Sequence, residues 1–300
     1  MSESLINYQH CPFCYSKAIH PVLAAKDYTV SHRSFEIWHC ADCTNRFTQS
    51  APDLMHIGPY YQSAEYISHS DTAKGLINRL YHWVRSYTLG SKRRMIQRVC
   101  RQKQGVLLDI GAGTGAFAAT MLQAGWKVTG LEPDNIAREN ARTKYGIELR
   151  SAEDIYTLPE NAFDVITLWH VLEHVHDLHG YFKQFKALLK PTGKLVIAVP
   201  NYTSRDGEVY GQYWAAWDVP RHLYHFSPAG MQKLAELEGF TIQSMYPMWF
   251  DAFYVSMLSE QYKNGSSNLP GALLKGLGSN LTTLGDKRRC SSLIYVLSLV

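Results

Sequence analysis

The chain has 300 residues, 46% of them apolar and 19% charged, enough to bury a substantial core and too apolar for global disorder. Its net charge of +4 is mildly basic and the longest cationic runs are Lys92-Arg93-Arg94 and Lys287-Arg288-Arg289, so nucleic acid is permitted as a partner but not favoured. No stretch approaches the ~20 apolar residues of a membrane span and no signal-peptide pattern opens the sequence, so the expected location is cytoplasmic.

The first motif is a pair of knuckles, Cys11-Pro12-Phe13-Cys14 and Cys40-Ala41-Asp42-Cys43, separated by 25 residues. That spacing fits a four-thiolate zinc ribbon, with Phe35 to Trp38 as a strand leading into the second knuckle. Two disulfides or free thiols are the alternatives, and both fit a chain without a secretion signal less well. About fifty residues surround the site, too few for a large core, so structural zinc would supply on the order of 10 kcal/mol of their folding free energy. His39 flanks the second knuckle as a spare ligand or a packed ring. Cys100 and Cys290 have no partner pattern and read as ordinary thiols.

An aromatic stretch, Tyr60 to Ser70, follows, and then a helical pattern over 71–101 with apolar positions Leu76, Leu80, Trp83, Val84 and Tyr87. Tyr61, Tyr66 and His69 can line a site, although packing at a domain junction is the plainer role. The expected division is a zinc-ribbon domain over 1–50, a helical linker or lid over 51–103, and an α/β domain over 104–300 with an insertion at about 251–290.

The run Val106-Leu107-Leu108-Asp109-Ile110-Gly111-Ala112-Gly113-Thr114-Gly115 joins an apolar strand to a glycine turn with an acid between them. Glycines at alternate positions let the backbone turn sharply and approach a ligand closely. A carboxylate at Asp109 would repel a pyrophosphate but suits the cationic amino-acid end of S-adenosylmethionine. Further on, Val128 to Leu131 ends in Glu132-Pro133, where a second strand would deliver a carboxylate to ribose hydroxyls.

With Phe163-Asp164-Val165-Ile166 and His170-Val171-Leu172-Glu173-His174, these motifs resemble the class I S-adenosylmethionine-dependent methyltransferases over roughly residues 104–247, close to the Methyltransf_23 type. The resemblance implies a Rossmann-like, doubly wound, mostly parallel seven-stranded α/β sheet. It implies cofactor contacts at Asp109, Gly111, Ala112, Gly113, Gly115, Glu132 and Pro133, adenine contacts at Ala152 and Glu153, and contacts to the methionine side and substrate at Trp169 and His170. Helices preceding the first strand often cover the cofactor cleft in that family.

Strands are expected at 106–110, 127–132, 147–150, 163–170, 195–200 and 240–247, with 292–297 as the seventh. Lys190-Pro191-Thr192-Gly193 reads as a turn with an unusual glycine φ, Phe253 to Tyr262 as a helix, and the residues after it as glycine punctuation. The loop Trp214 to Pro228 carries His222 and His225, the expected general bases in that order, although either can serve only to hold the loop. It is similar to a loop of zinc-containing sugar C-methyltransferases, with Arg221 where those carry glutamate. His170, Glu173 and His174 form a further cluster, comparable to one that helps bind a metal in some small-molecule O-methyltransferases and otherwise suited to orienting the cofactor loop.

There is no Asn/Asp-Pro-Pro-aromatic motif after the fourth strand and no cysteine near it, which argues against methylation of adenine N6 or cytosine C5. The expected activity is methyl transfer to oxygen, carbon or nitrogen of a small or glycan-linked metabolite. The alternatives are an RNA methyltransferase and a non-catalytic cofactor-binding scaffold.

Overall fold

The computed structural model describes residues 4–62, 76–266 and 268–300. Tyr66 and His69 lie outside these residues, as do the side chains of Leu76, Leu80 and Trp83. The chain forms two compact units that cut across the expected three segments: one comprises residues 1–69, 172–179 and 198–295, the other 70–171, 180–197 and 296–300.

In the first unit, β1 (Leu5–Ile6) pairs with β5 (Ala51–Pro52), while β2 (Ile19–Lys26), β3 (Ser34–Cys40) and β4 (Arg46–Thr48) build an antiparallel sheet. Strand alternation buries Phe35 and Ile37 and exposes Ser34 and Glu36. The fourth strand comes from far along the sequence: β10 (Tyr224–His225) pairs with β4, so the order is β10-β4-β3-β2. Against this sheet pack Trp214, Trp217, Tyr202 and Tyr210 in one apolar cluster with Phe35 and Ile37. Helices α5 (Arg205–Tyr210), α6 (Pro228–Leu237), α7 (Asp251–Asn264) and α8 (Leu269–Gly285) belong to this unit. Ser227 caps α6 by accepting the Gly230 N–H at 2.9 Å, with Pro228 in the first turn.

In the second unit, α1 (Leu76–Val99) precedes β6 (Val106–Ile110), α2 (Ala116–Gln123), β7 (Lys127–Leu131), α3 (Asn135–Tyr145) and β8 (Phe163–Trp169); α4 (Leu178–Leu188) then leads into β9 (Leu189–Pro200). With β11 (Phe240–Pro247) and β12 (Ser292–Leu299) these strands form a sheet of order β11-β12-β9-β8-β6-β7, parallel where β6 meets β7 and β8. The doubly wound, Rossmann-like class expected from the sequence is the one found.

Three details differ. The expected third strand, 147–150, is reduced to one parallel bridge between Leu131 and Arg150, so the described sheet has six strands and not seven. Lys190 to Gly193 lies inside β9, and Gly193 is not among the positive-φ glycines; α4 does end at Leu188, but the chain passes directly into extended backbone. The glycine-rich residues after α7 form a 17-residue helix, α8, capped by Asn268, whose side chain accepts the Gly271 N–H at 3.1 Å. Its glycines allow close packing: a Cβ on Gly276 would stand 2.7 Å from Phe253 of α7.

Candidate active site and metal centres

In the second unit, strand register sets up the glycine loop. Asp109 lies opposite Thr167 across β6 and β8, is 1% exposed, and accepts the Thr167 hydroxyl at 2.7 Å. Burial pushes its carboxyl up to about 7, against the Thr167 hydrogen bond and the charge of Lys92. Gly111, Gly113 and Gly115 all have positive φ. At Gly111 a Cβ would fall 2.3 Å from Val171, and at Gly115 2.9 Å from Ala141 of α3, whereas at Gly113 it would meet nothing within 4 Å. The loop is therefore closed on its protein side and open at Gly113.

Glu132, just past β7, accepts N–H groups from Gly113 at 2.8 Å on one oxygen and from Asp134 at 3.0 Å on the other. A carboxylate has about four acceptor positions, so two stay available for hydroxyl donors. Burial raises its pKa. The carbonyls of Glu132 and Pro133 both accept from Arg138, and Asp134 caps α3 through the N–H groups of Ile136 and Ala137. Ala112 donates its N–H to the Leu131 carbonyl at 2.9 Å. Ala152 and Glu153 open a 3₁₀ turn, where the Ser151 hydroxyl bonds the exposed Glu153 carboxylate and holds its pKa down. Trp169 ends β8, edge-on to Phe117 at 5.3 Å and under the Lys92 ammonium at 4.0 Å; its buried indole N–H finds no hydrogen-bond acceptor among the described residues. His170 follows it in left-handed backbone, φ 58°.

In the first unit, the Sγ atoms of Cys11, Cys14, Cys40 and Cys43 all lie within 4.8 Å of one another. Cys11 and Cys43 are 3.6 Å apart, as are Cys14 and Cys40, far beyond a disulfide bond and close to the ~3.7 Å edge of a tetrahedron with ~2.3 Å metal–sulfur bonds. The two knuckles share one shape: Tyr15 and Thr44, each just after its second cysteine, have φ of 61° and 64°, and their N–H groups return to the Cys11 and Cys40 carbonyls at 2.9 Å. The Cys43 thiol's hydrogen bond holds Cys11 down to about 6 and drives Cys43 itself up.

The two expected bases separate. His225 sits on β10, 3% exposed, with Nε2 at 3.0 Å from the Thr48 hydroxyl; burial holds its pKa well below the usual value. His222 joins a second cluster, in which Glu173, His174 and His222 bring one ligand atom each to within 4.8 Å. Arg221, beside it, is not a substrate-facing cation: it is 1% exposed and paired to Asp218 at 2.6 Å and Asp27 at 3.2 Å. Sequence reasoning missed Thr167 and Thr48, which matter through strand pairings that no local pattern encodes, and Asp218, although its partners Arg221 and His222 lie only three and four residues further on.

A methyltransferase-domain family model matches residues 82–245, more than half the chain. The chain belongs to this methyltransferase family, in agreement with the class I S-adenosylmethionine-dependent resemblance of its motifs and sheet. Among curated relatives, it is 28% identical over 178 residues to a ubiquinone biosynthesis O-methyltransferase of Aeromonas salmonicida (strain A449), a match covering 54% of this chain and 71% of that protein. It is 29% identical over 136 residues to a demethylmenaquinone methyltransferase of Tropheryma whipplei (strain Twist), covering 43% of this chain and 57% of that one, so the chain spans little more than half of this second relative. A solved 1,6-didemethyltoxoflavin-N1-methyltransferase of Burkholderia thailandensis is 16% identical, with a TM-score of 0.49 over 87% of this chain and 98% of its own.

Proposed function

We propose that this chain transfers the methyl group of S-adenosylmethionine to an oxygen or carbon of a small metabolite, with a hydroxylated quinone-type ring as the first acceptor class to test. The observation that carries the reading is the Asp109 to Gly115 loop, open at Gly113 and joined to Glu132 through the Gly113 N–H. The bound cofactor would supply an activated methyl on a sulfonium. Asp109 would face its cationic end, the two remaining acceptor positions of Glu132 its ribose, Ala152 and Glu153 its adenine, and Trp169 and His170 its methionine side. The names of the two curated relatives support a quinone-related acceptor.

His222 is the histidine through which the acceptor loses its proton. Its Nδ1–H donates to the Ala216 carbonyl at 2.9 Å, which leaves the Nε2 lone pair as its reactive site, whereas the Nε2 of His225 is taken up by Thr48. Cys11, Cys14, Cys40 and Cys43 would hold one structural zinc.

Calorimetric titration with S-adenosylmethionine and S-adenosylhomocysteine should give micromolar binding, and dihydroxylated aromatic acceptors should then release S-adenosylhomocysteine. Absence of binding would refute the reading. Cofactor binding without turnover on any acceptor would favour a scaffold, and acceptor binding that weakens steeply with salt would favour RNA.

A further inference from the structure

Helix α8 is built inside out. At about 100° per residue, its buried positions Ala272, Gly276, Ser279 and Thr283 fall within an arc of about 60°. That arc faces α7 and α5: Gly276 packs under Phe253, and the Ser279 hydroxyl donates to the buried Asp206 carboxylate at 2.8 Å. All six leucines of the helix, Leu269, Leu273, Leu274, Leu277, Leu281 and Leu284, lie on the other side and are between 52% and 74% exposed. They share an arc of about 140°. Within it, Asn280 Nδ2 donates to the Trp249 carbonyl at 2.9 Å, which brings the part-exposed Trp249 beside the leucines.

A surface helix ordinarily turns its apolar stripe to the core and its polar residues to water. Close packing on α7 explains the small residues of α8, but it asks nothing of the outward positions, where glutamate or lysine would favour the helix about as well as leucine. Contiguous apolar patches of this kind on a folded chain mark contact with something outside it. Charge selects the occupant. Residues 261–300 carry five Lys and Arg against one acid, Asp286, which amounts to the whole net charge of +4. Lys275 is paired to Glu260, Arg288 to Asp286 and Arg289 to Glu208, whereas the exposed Lys263 and Lys287, one on either side of α8, form no ion pair among the described residues. A second copy meeting this face about a two-fold axis would set those cations against their own kind.

We infer that α8 docks this protein onto an anionic phospholipid bilayer, lying in the plane of its surface. The leucines enter the boundary between headgroups and acyl chains, Trp249 sits at headgroup level, and Lys263 and Lys287 meet the lipid phosphates. No helix among the described residues is long and apolar enough to cross a membrane, and α8, with 17 residues, is about 26 Å long at 1.5 Å per residue, which suits lying on the surface. The docking face belongs to the first unit alone and holds whatever acceptor the chain methylates.

Full-length protein is sedimented with vesicles of phosphatidylcholine alone or of an equal mixture with phosphatidylglycerol. Binding to the mixed vesicles is expected to be at least about tenfold tighter than to the neutral ones, and to weaken with salt. Leu274→Ser combined with Leu281→Ser removes two exposed contacts without adding charge; it should weaken binding by about tenfold or more and leave the melting temperature unchanged. Lys263→Gln combined with Lys287→Gln tests the charge separately and should reduce the preference for the mixed vesicles. Wild-type protein that stays in the supernatant with mixed vesicles overturns the proposal, as does full binding retained by the leucine variant. A dimer in sedimentation velocity that the leucine variant dissociates, without vesicle binding, would assign the face to a second copy and overturn it equally. Cofactor binding has no part in the readout, so failure here leaves the methyltransferase reading where it stood.

Discussion

Replacing Asp109 by Asn should move stability and cofactor affinity in opposite directions. Asp109 is buried, and its carboxyl is pushed up to about 7 from an ordinary 3.8, so between about pH 4 and pH 7 the folded chain retains a proton that the unfolded chain has released. Stability therefore falls as pH rises through that window. By pH 8 the accumulated cost is roughly 4 kcal/mol at about 1.4 kcal/mol per pKa unit. Asparagine keeps an oxygen for the Thr167 hydroxyl and carries no charge. The cofactor-free variant should then melt several degrees above wild type at pH 8, with the difference shrinking toward pH 4. A lost charge-assisted hydrogen bond of about 1.5–3 kcal/mol should weaken S-adenosylmethionine roughly ten- to hundredfold. Differential scanning fluorimetry across pH and calorimetry read the two effects separately. A variant that melts below wild type at pH 8 while binding the cofactor unchanged would refute both the charge argument and the placement of the cofactor.

Freshly reduced protein should contain one zinc in the four-cysteine cluster; Cys11→Ser should abolish it and unfold the β10-β4-β3-β2 sheet, measured by metal analysis with circular dichroism, and zinc retained at full stoichiometry would exclude Cys11 as a ligand. Gly111→Ala combines left-handed backbone with a Cβ 2.3 Å from Val171, and should cost about 2–5 kcal/mol in urea unfolding; a loss below 1 kcal/mol would show that the loop relaxes freely.

The sequence carried most of the second unit, because its signals are local. Apolar strands running into Gly111 or Glu132 are read within ten residues, and β6 falls on its expected bounds, as does β11 of the first unit. Residues 147–150 mislead because strand patterning says nothing of whether an edge strand finds its ladder, and here only Arg150 does. The glycines of α8 are ambiguous for a related reason: the same residue breaks an isolated helix and permits a close helix pair, and only Phe253 decides between the two. The cluster was half legible. Glu173 and His174 stood out as neighbours, but His222 joins them across 48 residues through hydrogen bonds that end on backbone carbonyls, which no side-chain pattern announces.

The pairing of β10 with β4 changes what a ribbon deletion would mean. Residues 1–50 look like a detachable module, yet Thr48 donates its hydroxyl to the His222 carbonyl at 2.7 Å, Thr48 N–H donates to Leu223 at 2.9 Å, and Phe13 packs edge-on against Tyr224 and Phe226. A truncated chain would lose the partner strand of the histidine loop along with the ribbon, so its inactivity would not show that the ribbon recruits anything. For the same reason, a chimaera that exchanges residues 214–228 should fold only when residues 1–50 are exchanged with them, as two halves of one packed unit.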